Sequence, residues 1–256
     1  MLHLYCLTSP GGERAASGVR GLEGAPVRVV RAGAVEAWVS EHETLPREVT
    51  PDLARAHDGV VRAAMAWETP LPARYGQTFA NEESLTSALA AREGAIVEAL
   101  ERVRGAVEMT VRVLLDEDPA EEGAEERGER AAPLAALGWA GAGEGEAASG
   151  AGARARTGRD YLSSVRARHE REAALHRRAE FLQARLSRAV EGVTRGESRT
   201  PAPPSSRFLT VSHLVALGDV SEYRLALRSF VESEPRPRVL VSGPWAPYSF
   251  TENQRG

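Results

Sequence analysis

Six histidines, one cysteine and a run of arginines are the side chains here able to bind metal, attack a substrate or grip a polyanion. His3, His42, His57, His169, His176 and His213 form no H-x-H and no H-E-x-x-H pattern, the spacings that bring two imidazoles to one ion. His169 and His176 share a side of a helical stretch, but no carboxylate or thiolate falls in register to complete a ligand set. They read as a solvated helix flank. His57 falls on the inner stripe of a helix, where a core histidine bonded to a neighbouring carbonyl is favoured over a catalytic one. Cys6 sits in an apolar strand pattern and reads as a small hydrophobe. No G-x-S-x-G elbow, Walker A loop or G-x-G-x-x-G after a strand is present. The expectation is a protein that is not an enzyme and has no catalytic residue, cofactor or metal site.

Arg159, Arg166, Arg168, Arg171, Arg177, Arg178, Arg185 and Arg188 are interleaved with Asp160, Glu170, Glu172, Glu180 and Glu191. Mixed signs at helical spacing mark a solvated, ion-pair-laced face. A nucleic-acid binder using this helix is one alternative, but the stretch has few aromatics to stack on bases. An enzyme of unrecognised type is the other. Two further segments stand apart. Leu71-Pro72-Ala73-Arg74-Tyr75-Gly76-Gln77-Thr78-Phe79 combines backbone-fixing prolines with an arginine fork. Gly243-Pro244-Trp245-Ala246-Pro247-Tyr248-Ser249-Phe250 packs three aromatics between stiffening prolines, giving large contact area at low entropy cost. Each segment either locks its own domain shut or docks a partner. The candidate partner-binding positions are Arg74, Tyr75, Gly76, Phe79, Gly243, Pro244, Trp245, Pro247, Tyr248 and Phe250.

These segments need a scaffold. A chain of 256 residues, 42% hydrophobic and 27% charged, can bury one large core or two modest ones. A net charge of −4 gives no overall pull toward nucleic acid or an anionic membrane, so neither is expected as a partner. One cysteine, no signal sequence and no apolar run long enough for a membrane span point to the cytoplasm.

Alternation marks strands at Leu2–Leu7, Val27–Arg31 and Val35–Ser40, the last two joined by a turn at Ala32-Gly33. Thr50-Pro51 starts a helix with an inner stripe of Leu53, His57, Val60, Val61 and Ala64. Ala73–Phe79 suits a short edge strand. Asn81 caps one helix running to Val103, with Arg92 on its inner face, and Val107–Leu115 alternates as a strand. The order predicts an α+β domain at 1–115, ferredoxin-like, with an antiparallel sheet and two helices on one face. Residues 116–156, acidic and then Gly/Ala-rich, read as a flexible linker. Residues 157–256 read as a second α+β domain. Its long coiled-coil-like helix carries Tyr161, Val165, Arg168, Glu172, Leu175, Ala179, Leu182, Leu186, Ala189 and Val193 on one seam, eight of the ten apolar. A strand at 207–217, a helix from Asp219 and a strand at 239–241 lead into the closing segment.

In this order, the two segments resemble signatures of the gas vesicle GvpL/GvpF family. Ser242 to Phe250 looks like that family's C-terminal signature, and Leu71 to Phe79 like its central one. His57 ahead of Val60-Val61, Leu4-Tyr5 and Gly158 to Leu162 also fit. The resemblance covers nearly the whole chain except the 116–156 insertion, where this sequence departs. It implies an N-terminal ferredoxin-like domain, a C-terminal α+β domain with a coiled-coil element, and an accessory role in gas vesicle formation. It further implies binding to the small, very hydrophobic shell subunit and to other accessory proteins, in a cytoplasmic, vesicle-associated setting. The sheet of residues 1–115, expected to leave one face open, is the expected covering surface. Oligomeric state, and whether this is the F or the L kind, are left open.

Overall fold

The structure is a computed structural model, and it describes residues 1–44, 48–115, 158–203, 206–234 and 238–251. The linker expected at 116–156 and the side chain of Tyr161 lie outside the described residues. The first sheet holds β1 (Leu2–Thr8), β2 (Arg28–Ala32), β3 (Val35–Glu41), β4 (Leu71–Pro72) and β5 (Thr78–Phe79). All its pairings are antiparallel, in the order β2-β3-β1-β4, with β5 also on β1. Gly33 at φ +60 supplies the left-handed residue that the tight β2–β3 hairpin needs. On β1 the register slips between Leu4 and Cys6, so Tyr5 is an extra residue opposite β3.

After a one-turn helix, α1 (Glu13–Ala16), come the larger helices, which cover both faces of this sheet. α2 (Pro51–Met65) starts at Thr50, whose hydroxyl accepts from the Leu53 amide at 3.3 Å. It sets Val60, Val61 and Ala64 against Tyr5, Cys6 and Trp38. The opposite face, with Leu2, Leu4, Val35, Ala37 and Val39, is covered by α3 (Glu82–Ala90) and α4 (Glu93–Val103). The expected arrangement of two helices on one face, with the other face open, is therefore corrected. β1 and β3 are buried along almost their whole length because apolar or hydrogen-bonded side chains point both ways. The single helix expected from Asn81 to Val103 is also corrected: it breaks at Ala91–Arg92. Unbroken, it would carry the Arg92 guanidinium into the core; with the break, Arg92 is exposed. The expected edge strand at 73–79 is two short pieces, β4 and β5, with residues 73–77 between them.

The second sheet holds β6 (Ala106–Leu114), β7 (Gly196–Arg199), β8 (Phe208–Ala216) and β9 (Arg238–Trp245), in the order β7-β8-β6-β9. Placing the strand at 107–115 in the first sheet is thus corrected. β6 pairs with β8 from Ala106↔Ala216 to Leu114↔Phe208 and takes β9 on its other side. Its alternation puts Met109, Val111 and Val113 against α5 (Gly158–Ala189) and α6 (Val220–Ser233). The long helix is present as one element. Its seam is buried at Ala179, Leu182 and Leu186, whereas Val165 and Leu175 are only half-buried. The buried half packs on β8 and α6; no second long helix lies along it among the described residues. Glu234, at the end of α6, is 1% exposed and is gripped by Arg185 at 2.5 Å and Arg178 at 4.0 Å, two turns apart on α5. Leu186→Ala should lower stability by about 2–5 kcal/mol in chemical denaturation, because it leaves a cavity in a closed core. Val165→Ala, on the less buried stretch, should cost under about 1 kcal/mol in the same measurement.

Candidate functional site

The Arg74–Phe79 segment straps the edge of β1. Leu71 and Pro72 pair with Leu7 and Cys6, Thr78 and Phe79 pair with His3 and Leu2, and the Ala73 amide donates to the Tyr5 carbonyl at 2.8 Å. Between these pairings the chain bows outward through Gly76 at φ +87, a conformation that favours glycine. Arg74 is exposed; Tyr75 and Phe79 are half-buried. Tyr75 packs with the cluster under α2 and Phe79 with the one under α3 and α4, so the two rings serve opposite faces of the sheet.

Under Tyr75 lies a histidine relay. His57 Nε2 is 3.0 Å from the Ala73 carbonyl oxygen, and His57 Nδ1 is 3.0 Å from His3 Nε2. A carbonyl can only accept, so His57 carries its proton on Nε2 and receives one at Nδ1 from His3 Nε2–H. Both rings are then neutral. The carbonyl-bonded core histidine read from the helix pattern is what the structure holds; His3, its buried partner, gave no signal in the sequence. Burial, the neighbouring His57 and His42 push the His3 imidazole down to about 3, and burial lowers His57 and His42 as well. His42 Nε2 is 2.7 Å from the Ser40 hydroxyl, which is 2.7 Å from the Tyr5 hydroxyl, and the Leu22 amide donates to that phenol. These groups bond to one another, with His3 Nδ1 left without a partner among the described residues. The glycine-rich loop behaves likewise: the Gly11 and Gly12 amides, at 3.0 and 2.8 Å, donate to the buried carboxylate of Glu36 rather than to an exogenous anion.

The closing segment joins the two sheets. Gly243 has φ +121, and a Cβ there would lie 2.7 Å from the Glu108 carbonyl oxygen and 2.9 Å from the Met109 sulfur, so only glycine fits. Its bond to Pro244 is cis. Trp245 receives the Arg62 guanidinium of α2 over its ring at 5.0 Å. Ala246 and Pro247 are buried, Tyr248 packs with the α2 cluster, and Phe250 packs with the α3–α4 cluster beside Leu214 of β8. Ser249 donates from its amide and its hydroxyl, both at 2.8 Å, to the Glu108 carboxylate on β6. Burial pushes the Tyr248 phenol well up.

The ten positions therefore form two groups linked by α2. His57 of that helix meets Tyr75 at a ring separation of 6.1 Å, and Arg62 meets Trp245. Sequence reading missed Glu108, Arg62 and His3, each defined by a partner far away in the chain. Glu108 stands in the polar phase of its strand with Thr110 and Arg112, so nothing in the local pattern set it apart. Three arginines of α5 pair with acids, Arg166 with Glu170 and both Arg178 and Arg185 with Glu234. His169 and His176 pair with Glu172 and Glu180, and no group of three metal-ligating side chains occurs among the described residues.

Two outcomes follow from this geometry. The folded pKa of His3 lies below its unfolded value near 6.5, so the unfolded chain binds the extra proton between those pH values. Stability should be full above pH ~6.5 and fall as pH drops through the window toward about 3. A thermal-melt series should show this slope, and His3→Gln, which keeps an N–H for His57 but does not titrate, should flatten it. Glu108→Ala strands the Ser249 donors in a part-buried site and should cost about 1–3 kcal/mol in denaturation, with Glu108→Gln losing less.

Residues 1–252 match the profile of a family described as gas vesicle synthesis protein GvpL/GvpF. Gas vesicle protein L of Streptomyces sp. (strain CB03234) is 30% identical over 275 aligned residues, spanning 97% of this chain and 91% of that protein. Two crystal structures share the fold. GvpF of Anabaena sp. PCC7120 superposes with a TM-score of 0.71 at 17% identity, covering 98% of this chain and 96% of that one. GvpF of Microcystis aeruginosa gives 0.69 at 15% identity, covering 98% and 99%. With both sheets and both segments inside the matched range, the chain belongs to the GvpL/GvpF family of gas vesicle synthesis proteins.

Proposed function

We propose that this chain binds the hydrophobic shell subunit of the gas vesicle, other vesicle accessory proteins, or both, and so promotes assembly in a chaperone-like or nucleating role. The observation that carries the reading is the family match from residue 1 to residue 252, which takes in both sheets and the segment that joins them. The physics supports it. A free shell subunit rich in apolar surface and strand edges aggregates unless those features are covered. A binder needs exposed apolar surface on a rigid frame, and it need not perform chemistry. The bonds among His3, His57, His42 and Tyr5 described above tie β1, β3 and α2 together, which suits a frame.

The covering surface is not the face of the first sheet, because α2 fills one side and α3 with α4 fills the other. Exposed large apolar side chains occur instead at Trp67, Phe181, Phe208, Leu225 and Leu240. Nor is residues 1–115 a sound fragment for binding work, since it would carry β6 away from β8 and β9. We place the action in the cytoplasm, on growing vesicles.

Co-expression of the full chain with the shell subunit, followed by size-exclusion chromatography of the soluble fraction, tests the reading. Co-elution of soluble shell subunit is the expected result. Shell subunit that stays insoluble would sink the covering mechanism and leave scaffolding among accessory proteins as the role to test.

A further inference from the structure

We propose that the outer edge of β9 is a docking edge for an acidic, extended segment of a partner protein, which adds to the second sheet as a fifth strand. The sheet runs β7-β8-β6-β9, so among the described residues both outer strands present unpaired backbone groups. The β7 edge is short and carries Gly196, Glu197 and Arg199, features that discourage pairing. The β9 edge is different. Its stretch Val239–Ser242 contains no charge and no proline, and Leu240 and Val241 are 63% and 38% exposed. An incoming strand would gain main-chain hydrogen bonds along this stretch and cover both side chains.

The charges around the edge select the partner. On the helix-free face of the sheet, β6 places Arg112 beside Leu240, and Arg238 sits beside Leu114. On the other face, Arg224 of α6 reaches the Gly243 carbonyl at 3.5 Å, so that flank of α6 lies along β9, and Arg228 follows one turn later. All four arginines are exposed, and none is in an ion pair among the described residues. The one acid on the helix-free face among the described residues of the sheet, Glu108, is buried under Ser249. Glu232 on α6 forms no ion pair with Arg228. An apolar edge between two pairs of uncompensated cations complements a strand with apolar and acidic side chains. It repels a second copy, because symmetric pairing of β9 with itself would bring both sets of arginines together.

This inference does not rest on the shell-subunit reading, and failure of the co-expression assay would leave it standing. The probe is a fluorescent peptide of alternating Glu and Val, matched to β9 in length and titrated into the full chain at low salt with anisotropy as readout. A peptide of alternating Arg and Val is its control. The expected result is binding of the acidic peptide alone. It should weaken roughly tenfold in Arg224→Glu/Arg228→Glu and stay unchanged in Arg171→Glu/Arg177→Glu, which reverses exposed charges on α5. Absence of binding, or equal loss in both variants, overturns the proposal. So does a concentration-dependent dimer that Leu240→Lys abolishes, which would make a second copy the occupant. Binding that appears only after neutralising the acids between Asp116 and Glu129 would make the chain its own occupant and overturn it too.

Discussion

A single buried carboxylate sets the relation between the two sheets. Glu108 points from the helix-free face of β6, is almost fully buried, and takes both of its closest hydrogen bonds from Ser249. A carboxylate in that position is costly unless its donors are present, and hydrogen bonds to charged groups are worth about 1.5–3 kcal/mol each. Glu108 therefore fixes where the closing segment must lie. Once Ser249 is held there, Phe250 is delivered to the core of the first sheet and Tyr248 to the cluster under α2. Trp245, in register with Glu108, comes under Arg62. Gly243 lets the chain approach close enough for this to happen. The closing segment is thus a clasp between units. The sequence posed a choice between locking its own domain and docking a partner, and neither option described a clasp of this kind.

The first unit is finished on all sides by a similar internal logic. Its loop amides go to Glu36, its histidines bond one another and Ala73, and its phenol at Tyr5 is shared by Ser40 and Leu22. Polar groups satisfied in pairs make a stiff body with little left to offer a ligand. Recognition is therefore displaced to the periphery, where apolar side chains and unpaired strand edges remain. This agrees with the reading proposed above for a member of a gas vesicle synthesis family.

Local signals in the sequence were legible and distant ones were not. Alternation found β1, β3 and β6, and the Thr50-Pro51 start and inner stripe of α2 were read with the right register, because each depends on residues a few positions apart. The sheet to which β6 belongs depends on β8, about a hundred residues on, as in the Thr110–Ser212 contact. Proximity in the chain had assigned β6 to the sheet before it. The one-sided helix cover failed for a related reason. Of the polar residues of β1 and β3, His3, Thr8, Glu36 and Ser40 are each buried and bonded across the fold. Polar side chains mark an exposed face only when no partner meets them.

In the role proposed for this chain, handling aggregation-prone clients brings a conflict of its own. Surface able to pair with a client's apolar strands is also able to pair with itself, and a factor that self-associates is lost to the reaction. Charge resolves the conflict at low cost in binding energy. Arginines beside an apolar edge do not block its backbone groups, as a proline within it would, yet they penalise any partner that brings the same charge. Their long side chains can also lie along the apolar surface while the guanidinium stays in water. Arg112, Arg224, Arg228 and Arg238 stand beside the β9 edge in this way. In a chain whose net charge is −4, their grouping around that edge is a local feature set against the overall balance. The same four side chains keep the edge from its own copy and select what it takes up.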